Sequence, residues 1–177
     1  MLGKIIVLDI ETTGLNSKKD KIIEIGAVLL EDRKIINTYQ TLINPEIKIK
    51  KEITELTGIS NDDIKNAPKI EDEIHNFMEF IKTYPLVAHN ATFDINFIER
   101  EVKIQGYTLD NNIIDTLQLS RRFNYSLSNH RLDTVANHFG IEMENYHRAL
   151  DDAITTSKVL YSIVDLMKER EVELRIN

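Results

Sequence analysis

Asp9 and Glu11 stand two residues apart at the end of an apolar run, K-I-I-V-L-D-I-E. If that run is a strand, a side-chain period of two puts both carboxylates on one face. Two carboxylates beside a core repel each other and resist desolvation unless a cation compensates them. The alternative is a pair of strand-end charges reaching solvent. Thr12, Thr13 and Gly14 follow, a tight turn whose backbone N–H groups and hydroxyls suit a phosphate or a sugar.

A second cluster, H-N-A-T-F-D, runs from His89 to Asp94. It falls where a short strand ends and a helix begins, the usual location of ligand groups in α/β sheets. Asp94 then lies in the first helical turn, where it equally suits the helix dipole. Asn90 or Thr92 suits an N-cap, and Phe93 suits a core position. A third cluster, H-R-A-L-D-D, spans His147 to Asp152. Five residues correspond to about 140° around an ideal helix, so His147 and Asp152 cannot share a helical face. His147 is therefore expected on the loop or first turn, with Asp152 on the helix proper. An imidazole beside a fixed carboxylate suits a general base acting on a water held by a metal. Asp115 reads as the N-cap of a helix from Thr116, or as a carboxylate behind the site.

The chain of 177 residues has no Cys. Thiolate metal sites, disulfides and cysteine nucleophiles are thereby excluded, and any metal must be held by oxygen and imidazole. That favours magnesium or manganese. The six glycines are too scattered for a dinucleotide fingerprint or a phosphate-binding P-loop, and no H-E-x-x-H or G-x-S-x-G occurs. Four acids and one His at the ends of strands and helices then describe a two-metal phosphodiester site. The net charge of −7 argues against whole-molecule attraction to nucleic acid or to an anionic membrane.

These residues need a framework to position them. Strands are predicted over residues 4–10, 22–30 and 34–43, as a meander. Helical spacing of Ile70, Ile74, Phe77, Met78 and Ile81 predicts a helix, and L-V-A after Pro85 a short strand. A helix over 92–105 stopped by Gly106, a strand over 112–115 and helices over 116–122 and 130–139 follow. The last helix is expected from near His147 to about Arg170. Strands first, then alternation, indicate an α/β domain with a mixed sheet. No linker or repeat divides the chain, so 1–177 is read as one domain.

The motifs D-I-E-T-T-G (9–14), H-N-A-T-F-D (89–94) and H-R-A-L-D-D (147–152) resemble the three motifs of the DEDDh 3′–5′ exonucleases. The resemblance runs from about residue 4 to 165. It is closest to the epsilon proofreading subunit of bacterial DNA polymerase III and to the exonuclease domain of the PolC-type polymerases. K-I-I-E-I-G-A-V (21–28), E-L-T-G-I-S (55–60) and N-A-P (66–68) agree with that group. The resemblance implies a ribonuclease-H-like fold, with a central mixed five-stranded sheet and helices on both faces. It implies that Asp9, Glu11, Asp94 and Asp152 hold two divalent cations, Mg2+ or Mn2+, and that His147 is the general base. One ion, with Asp9, Glu11 and Asp152, carries the attacking water. The second, near Asp9, stabilises the leaving 3′-oxygen, with Asp94 acting largely through water. Thr12, Thr13, Leu15, His89, Asn90 and Phe93 match the family's substrate-binding positions.

The implied substrate is a single-stranded or frayed DNA 3′ end, degraded to nucleoside 5′-monophosphates in proofreading, repair or DNA turnover. RNA trimming by the same acids and a silent binding module are the alternatives. Two divalent cations would offset four of the seven net negative charges, so part of the acidity serves to recruit metal. Arg100, Arg121, Arg122 and Arg131 are candidates for phosphate contacts, against a reading as scattered surface charge. DNA polymerase is an implied partner, but the charged tail over 169–177 supplies no counterpart of epsilon's polymerase-binding extension. Too few apolar residues precede Asp9 for a signal peptide, and no run is long enough to span a bilayer. A cytoplasmic protein with no membrane partner is expected.

Overall fold

The computed structural model describes residues 3–124, 126–143 and 147–170; most of the predicted charged tail, 171–177, lies outside them. The strands are β1 (Ile5–Thr12), β2 (Ile22–Glu31), β3 (Lys34–Leu42), β4 (Leu86–Ala88) and β5 (Ile113–Asp115), in the spatial order β3-β2-β1-β4-β5. β1, β2 and β3 are antiparallel, while β4 and β5 run parallel to β1. The sheet is therefore mixed, with β1 at its centre. Every β1 residue except Asp9 and Glu11 is buried, which is why the strand reads as an unbroken apolar run.

Alternation along β1 divides the core. Ile6, Leu8 and Ile10 join Ile74, Phe77 and Ile81 of α3 (Ile70–Ile81) and Phe97, Ile98 and Val102 of α4 (Ala91–Ile104). Ile5 and Val7 point the other way, into a cluster with Leu160 of α7 (Ala149–Glu169). Asp9 and Glu11 continue that second row, toward α7. On the same side, α5 (Thr116–Phe123) and α6 (Leu132–His138) pack against α7 through Phe123, Val135, Val159 and Ile163.

Two short helices, α1 (Lys51–Thr57) and α2 (Asn61–Ile64), went unrecognised in the sequence. They are too short for a 3.6-residue period to stand out, and their isoleucines serve a local cluster. Near the site end of β1 the ladder shifts register, Glu11 pairing with Glu24 and Thr12 with Ile22. Ile23 leaves the ladder there and packs with Ile49, Ile59 and Ile64, seating α1 and α2 on that end of the sheet. The last helix begins at Ala149, close to the expected start, and His147 stays outside it with φ +64. Likewise α6 starts at Leu132, after an extended Arg131. Among the described residues no helix is long and apolar enough to cross a membrane.

Gly26 pairs with Asp9 and lies under the first turn of α7. A Cβ there would meet the Leu150 nitrogen at 2.2 Å and the Ala149 carbonyl carbon at 2.3 Å, and backbone cannot yield as a flexible side chain does. Gly26→Ala is expected to destabilise the fold by about 2 kcal/mol or more in denaturant unfolding. Gly3→Ala, with open space around it, should change nothing measurable. An unaltered midpoint for Gly26→Ala would show that the close approach imposes no constraint.

Candidate active site

Three elements converge where β1 ends. β1 brings Asp9 and Glu11, the first turn of α4 brings Asp94, and the first turn of α7 brings Asp152. Asp94 is buried, and its Oδ1 accepts the Ile10 backbone N–H at 3.2 Å, between the two β1 acids. Asp152 is buried too. It takes the His147 backbone N–H, yet its Oδ1 has no hydrogen-bond partner among the described residues. Ligating atoms of Glu11, His147 and Asp152 all lie within 4.8 Å of one another. The imidazole thus sits at the edge of the carboxylate cluster.

The position of α7 comes from Glu24, which has no solvent exposure. It receives the Arg148 guanidinium at 2.8 Å, the Ala149 N–H at 3.0 Å and the Gln40 amide at 3.0 Å. Glu24 and Arg148 fall within the stretches 21–28 and 147–152, but nothing in the sequence assigns them a role. Their one signal was a charge interrupting the apolar run I-I-E-I-G-A-V.

Around the second motif, β4 and α5 supply the frame. Asp115 caps α5 through Leu117 N–H at 2.9 Å and also takes Asn90 N–H at 3.0 Å, serving both readings of that residue. Asn90 occupies the N-cap of α4 with φ +70, but its side chain makes no capping bond. His89 has both ring nitrogens engaged, Nδ1 with the Thr116 hydroxyl at 2.9 Å and Nε2 with the His130 carbonyl at 2.8 Å. Because a carbonyl only accepts, Nε2 carries the proton. Phe93 packs against the core, its ring 5.1 Å from that of Phe97.

In the first-motif turn, Thr12 and Thr13 are buried, contrary to the expected exposed hydroxyls. The Thr12 hydroxyl donates to the Gly14 carbonyl at 2.7 Å, and that of Thr13 accepts Lys21 N–H at 3.0 Å. Turn closure engages both, whereas Leu15 projects 87% exposed. Arg100 does not reach for phosphate: its guanidinium binds buried Glu101 and the Ser17 carbonyl, tying this loop to α4. Arg122 lies over Phe123, and Arg131 stands 3.8 Å from Asp133. Arg121 is exposed on α5.

Burial raises every acid of the cluster, and Asp9 and Glu11 are raised further by the other acids. Burial, then Asp94, Glu11, Asp152 and Glu24, holds Asp9 well above the carboxylate range. Glu11 is pushed up to about 8 by burial, then by Asp152, Glu24 and Asp94. Asp94 rises to about 8 and Asp152 to about 6, burial leading in each. Burial first, then Arg131, lowers His147, so its imidazole is neutral near pH 7 and able to take a proton. A divalent cation would reverse the cost of ionising the carboxylates, and the unpartnered Asp152 Oδ1 gives it a ligand. An oxygen-rich donor set with one imidazole beside it fits a divalent cation by its chemistry.

The family model described as Exonuclease (RNase T) matches residues 6–160. The DNA polymerase III PolC-type of Caldanaerobacter subterraneus subsp. tengcongensis is 44% identical over 167 residues, covering 94% of this chain but 12% of that protein. That of Clostridium perfringens is 45% identical over 164 residues, covering 93% and 11%. The chain thus spans about an eighth of these relatives. Among solved structures, Exonuclease X in complex with 5′ overhanging duplex DNA superposes with TM-score 0.76 at 25% identity, covering 96% and 94% of the two chains. The nuclease domain of 3′hExo, a DEDDh family member bound to rAMP, gives 0.78 at 22% identity, covering 99% and 96%, a likeness of fold.

Groups whose folded pKa is raised favour the protonated protein. Their contribution is complete below the ordinary carboxylate pKa of about 4 and is lost as pH rises through the folded values. Without divalent cation, the melting temperature should therefore fall between about pH 5 and pH 8, where Glu11 and Asp94 ionise. Added Mn2+ or Mg2+ should raise it more at the higher pH. A cation-free melting temperature that stays flat across this range would contradict the raised values of the acids.

Proposed function

The chain belongs to the exonuclease family that matches its residues 6–160, and from that premise we propose a metal-dependent 3′–5′ exonuclease acting on single-stranded or frayed DNA ends. The observation that carries this reading is the convergence of four carboxylates from β1, α4 and α7, with a buried Asp152 oxygen left unpartnered. Asp9, Glu11, Asp94 and Asp152 are the residues that would hold the divalent cations. When bound, these supply Lewis-acid charge that acidifies water and offsets negative charge growing on the phosphodiester.

The protein's own groups do the rest. His147, neutral near pH 7, accepts a proton from the attacking water. The hydroxide oxygen bonds to phosphorus, and the bond from phosphorus to the upstream 3′-oxygen breaks. The released nucleotide keeps its phosphate on the 5′ side, and the new 3′-hydroxyl takes its proton from solvent. The backbone of the Thr12–Thr13 turn, Leu15 and the His89–Phe93 segment hold the terminal nucleotide. In that role the exposed Leu15 faces base or sugar, while His89, bonded at both nitrogens, orients the Asn90 backbone rather than touching substrate itself.

DNA is favoured as substrate because the relatives at 44% and 45% identity are DNA polymerases that carry this region within a much longer chain. The same relationship supports proofreading beside a polymerase as the setting. Asp9→Ala and Asp152→Ala should each abolish nucleotide release in Mg2+ or Mn2+ while circular dichroism stays native. His147→Ala should lower kcat by roughly 10²–10⁴-fold. Matched DNA and RNA oligomers supply the discriminating comparison: faster hydrolysis of RNA would reassign the substrate. Retained activity in both acid variants would remove the two-metal reading altogether.

A further inference from the structure

Segment 48–62 carries basic groups that the hydrolytic site does not use. A groove of about 770 Å³ there is lined by Lys48, Lys50 and Lys51 together with Glu52, Ser60 and Asp62. Lys48 and Lys50 have no ion-pair partner among the described residues. Lys51 meets Glu55 at 3.2 Å, but with side chains 85% and 61% exposed that pair is weak and readily exchanged. Asp62 is already engaged by Lys65 at 3.3 Å, and among the described residues Glu52 is the groove carboxylate without an ion-pair partner.

The segment is held in place. Asn61 clamps Ile49 from both sides, its Oδ1 accepting the Ile49 N–H at 2.8 Å and its Nδ2 donating to the Ile49 carbonyl at 3.1 Å. Ile49 is buried, and the lysine on either side of it is exposed. The buried isoleucine anchors the backbone, so the two ammonium groups extend from a fixed base.

The groove also lies at the active end of the sheet. α1 and α2 pack on Ile23, next to Glu24 and beside the pairing of Glu11 and Thr12. Asp63 of α2 and Arg148 of α7 act on each other electrostatically. A polyanion approaching a chain of net charge −7 is repelled as a whole, so it needs a local positive surface within about a Debye length, ~8–10 Å, of its path.

We propose that Lys48, Lys50 and Lys51 bind backbone phosphates of the single strand upstream of the 3′ end being cut. This deepens the exonuclease reading and rests on it. The lysines contact phosphate, not bases, so they add affinity without sequence preference. Terminal hydrolysis at the carboxylates thereby gains a handhold that a dinucleotide is too short to use.

The test is the triple variant Lys48→Gln, Lys50→Gln, Lys51→Gln in the full chain. Its kcat/KM on a DNA oligomer of roughly twelve nucleotides is compared with that on a dinucleotide. Fluorescence anisotropy with the same labelled oligomer, in Ca2+ to suppress turnover, is followed against salt. At low salt the oligomer-to-dinucleotide ratio of kcat/KM should fall by roughly ten-fold, and the slope of log affinity against log salt by about two, for three phosphate contacts. An unchanged ratio and slope would overturn the proposal, as would equal losses on both substrates. Absence of nucleotide release from the parent protein would instead sink the exonuclease reading, and the anisotropy series would still decide the groove.

Discussion

Glu24 is a carboxylate with no access to solvent, and the geometry at the carboxylate cluster depends on its being satisfied. Isolated in the core it would cost several kcal/mol, and removing one partner of such a pair costs about 3–5 kcal/mol. Here its bonds come from Arg148 and from the first N–H of α7, so the hydrogen bonds that satisfy Glu24 also hold α7 to β2. Gly26 makes that contact sterically possible, two residues further along the strand and directly opposite Asp9. The residues that dock the helix therefore set the distance between the acids of β1 and the acid of α7. They also leave His147, just outside the helix in a left-handed conformation, beside Glu11 and Asp152.

Stability and chemistry pull in opposite directions around this contact. Burial raises the pKa of all four carboxylates, neighbouring acids raise Asp9 and Glu11 further, and the cation-free fold is weakened near neutral pH. The core clusters on both faces of β1 tolerate that cost because neither depends on the acids for packing. Strain at a functional site supported by a conventional core is a common pattern. Charge is partitioned along with it: acids in the cleft, lysines on the α1–α2 rim, and Arg100 withdrawn to fasten the loop that bears Leu15.

Much of the framework was legible in the chain because it rests on local periodicity. Ile/Val-rich runs marked β1 and β2, and the spacing of Ile70, Ile74, Phe77 and Ile81 marked α3. Asp9 and Glu11 share a face as a period of two requires, and five-residue spacing kept His147 off the helix of Asp152. The short helices α1 and α2 escaped because seven and four residues give too few turns to establish a period.

By itself, the sequence determined which donor atoms exist, their order along the chain, and the faces on which they lie. With no cysteine and no phosphate-binding glycine loop, an oxygen-rich cation site was the chemistry left open. Only the tertiary structure decided which groups are free to act. Thr12 and Thr13 spend their hydroxyls closing a turn, His89 spends both nitrogens on Thr116 and His130, and Arg100 spends its guanidinium on Glu101 and Ser17. Asp152 retains an oxygen with no partner among the described residues. The physical reason is that a side chain's chemical type is a property of the chain, whereas its remaining hydrogen-bonding capacity depends on neighbours brought from distant positions by folding.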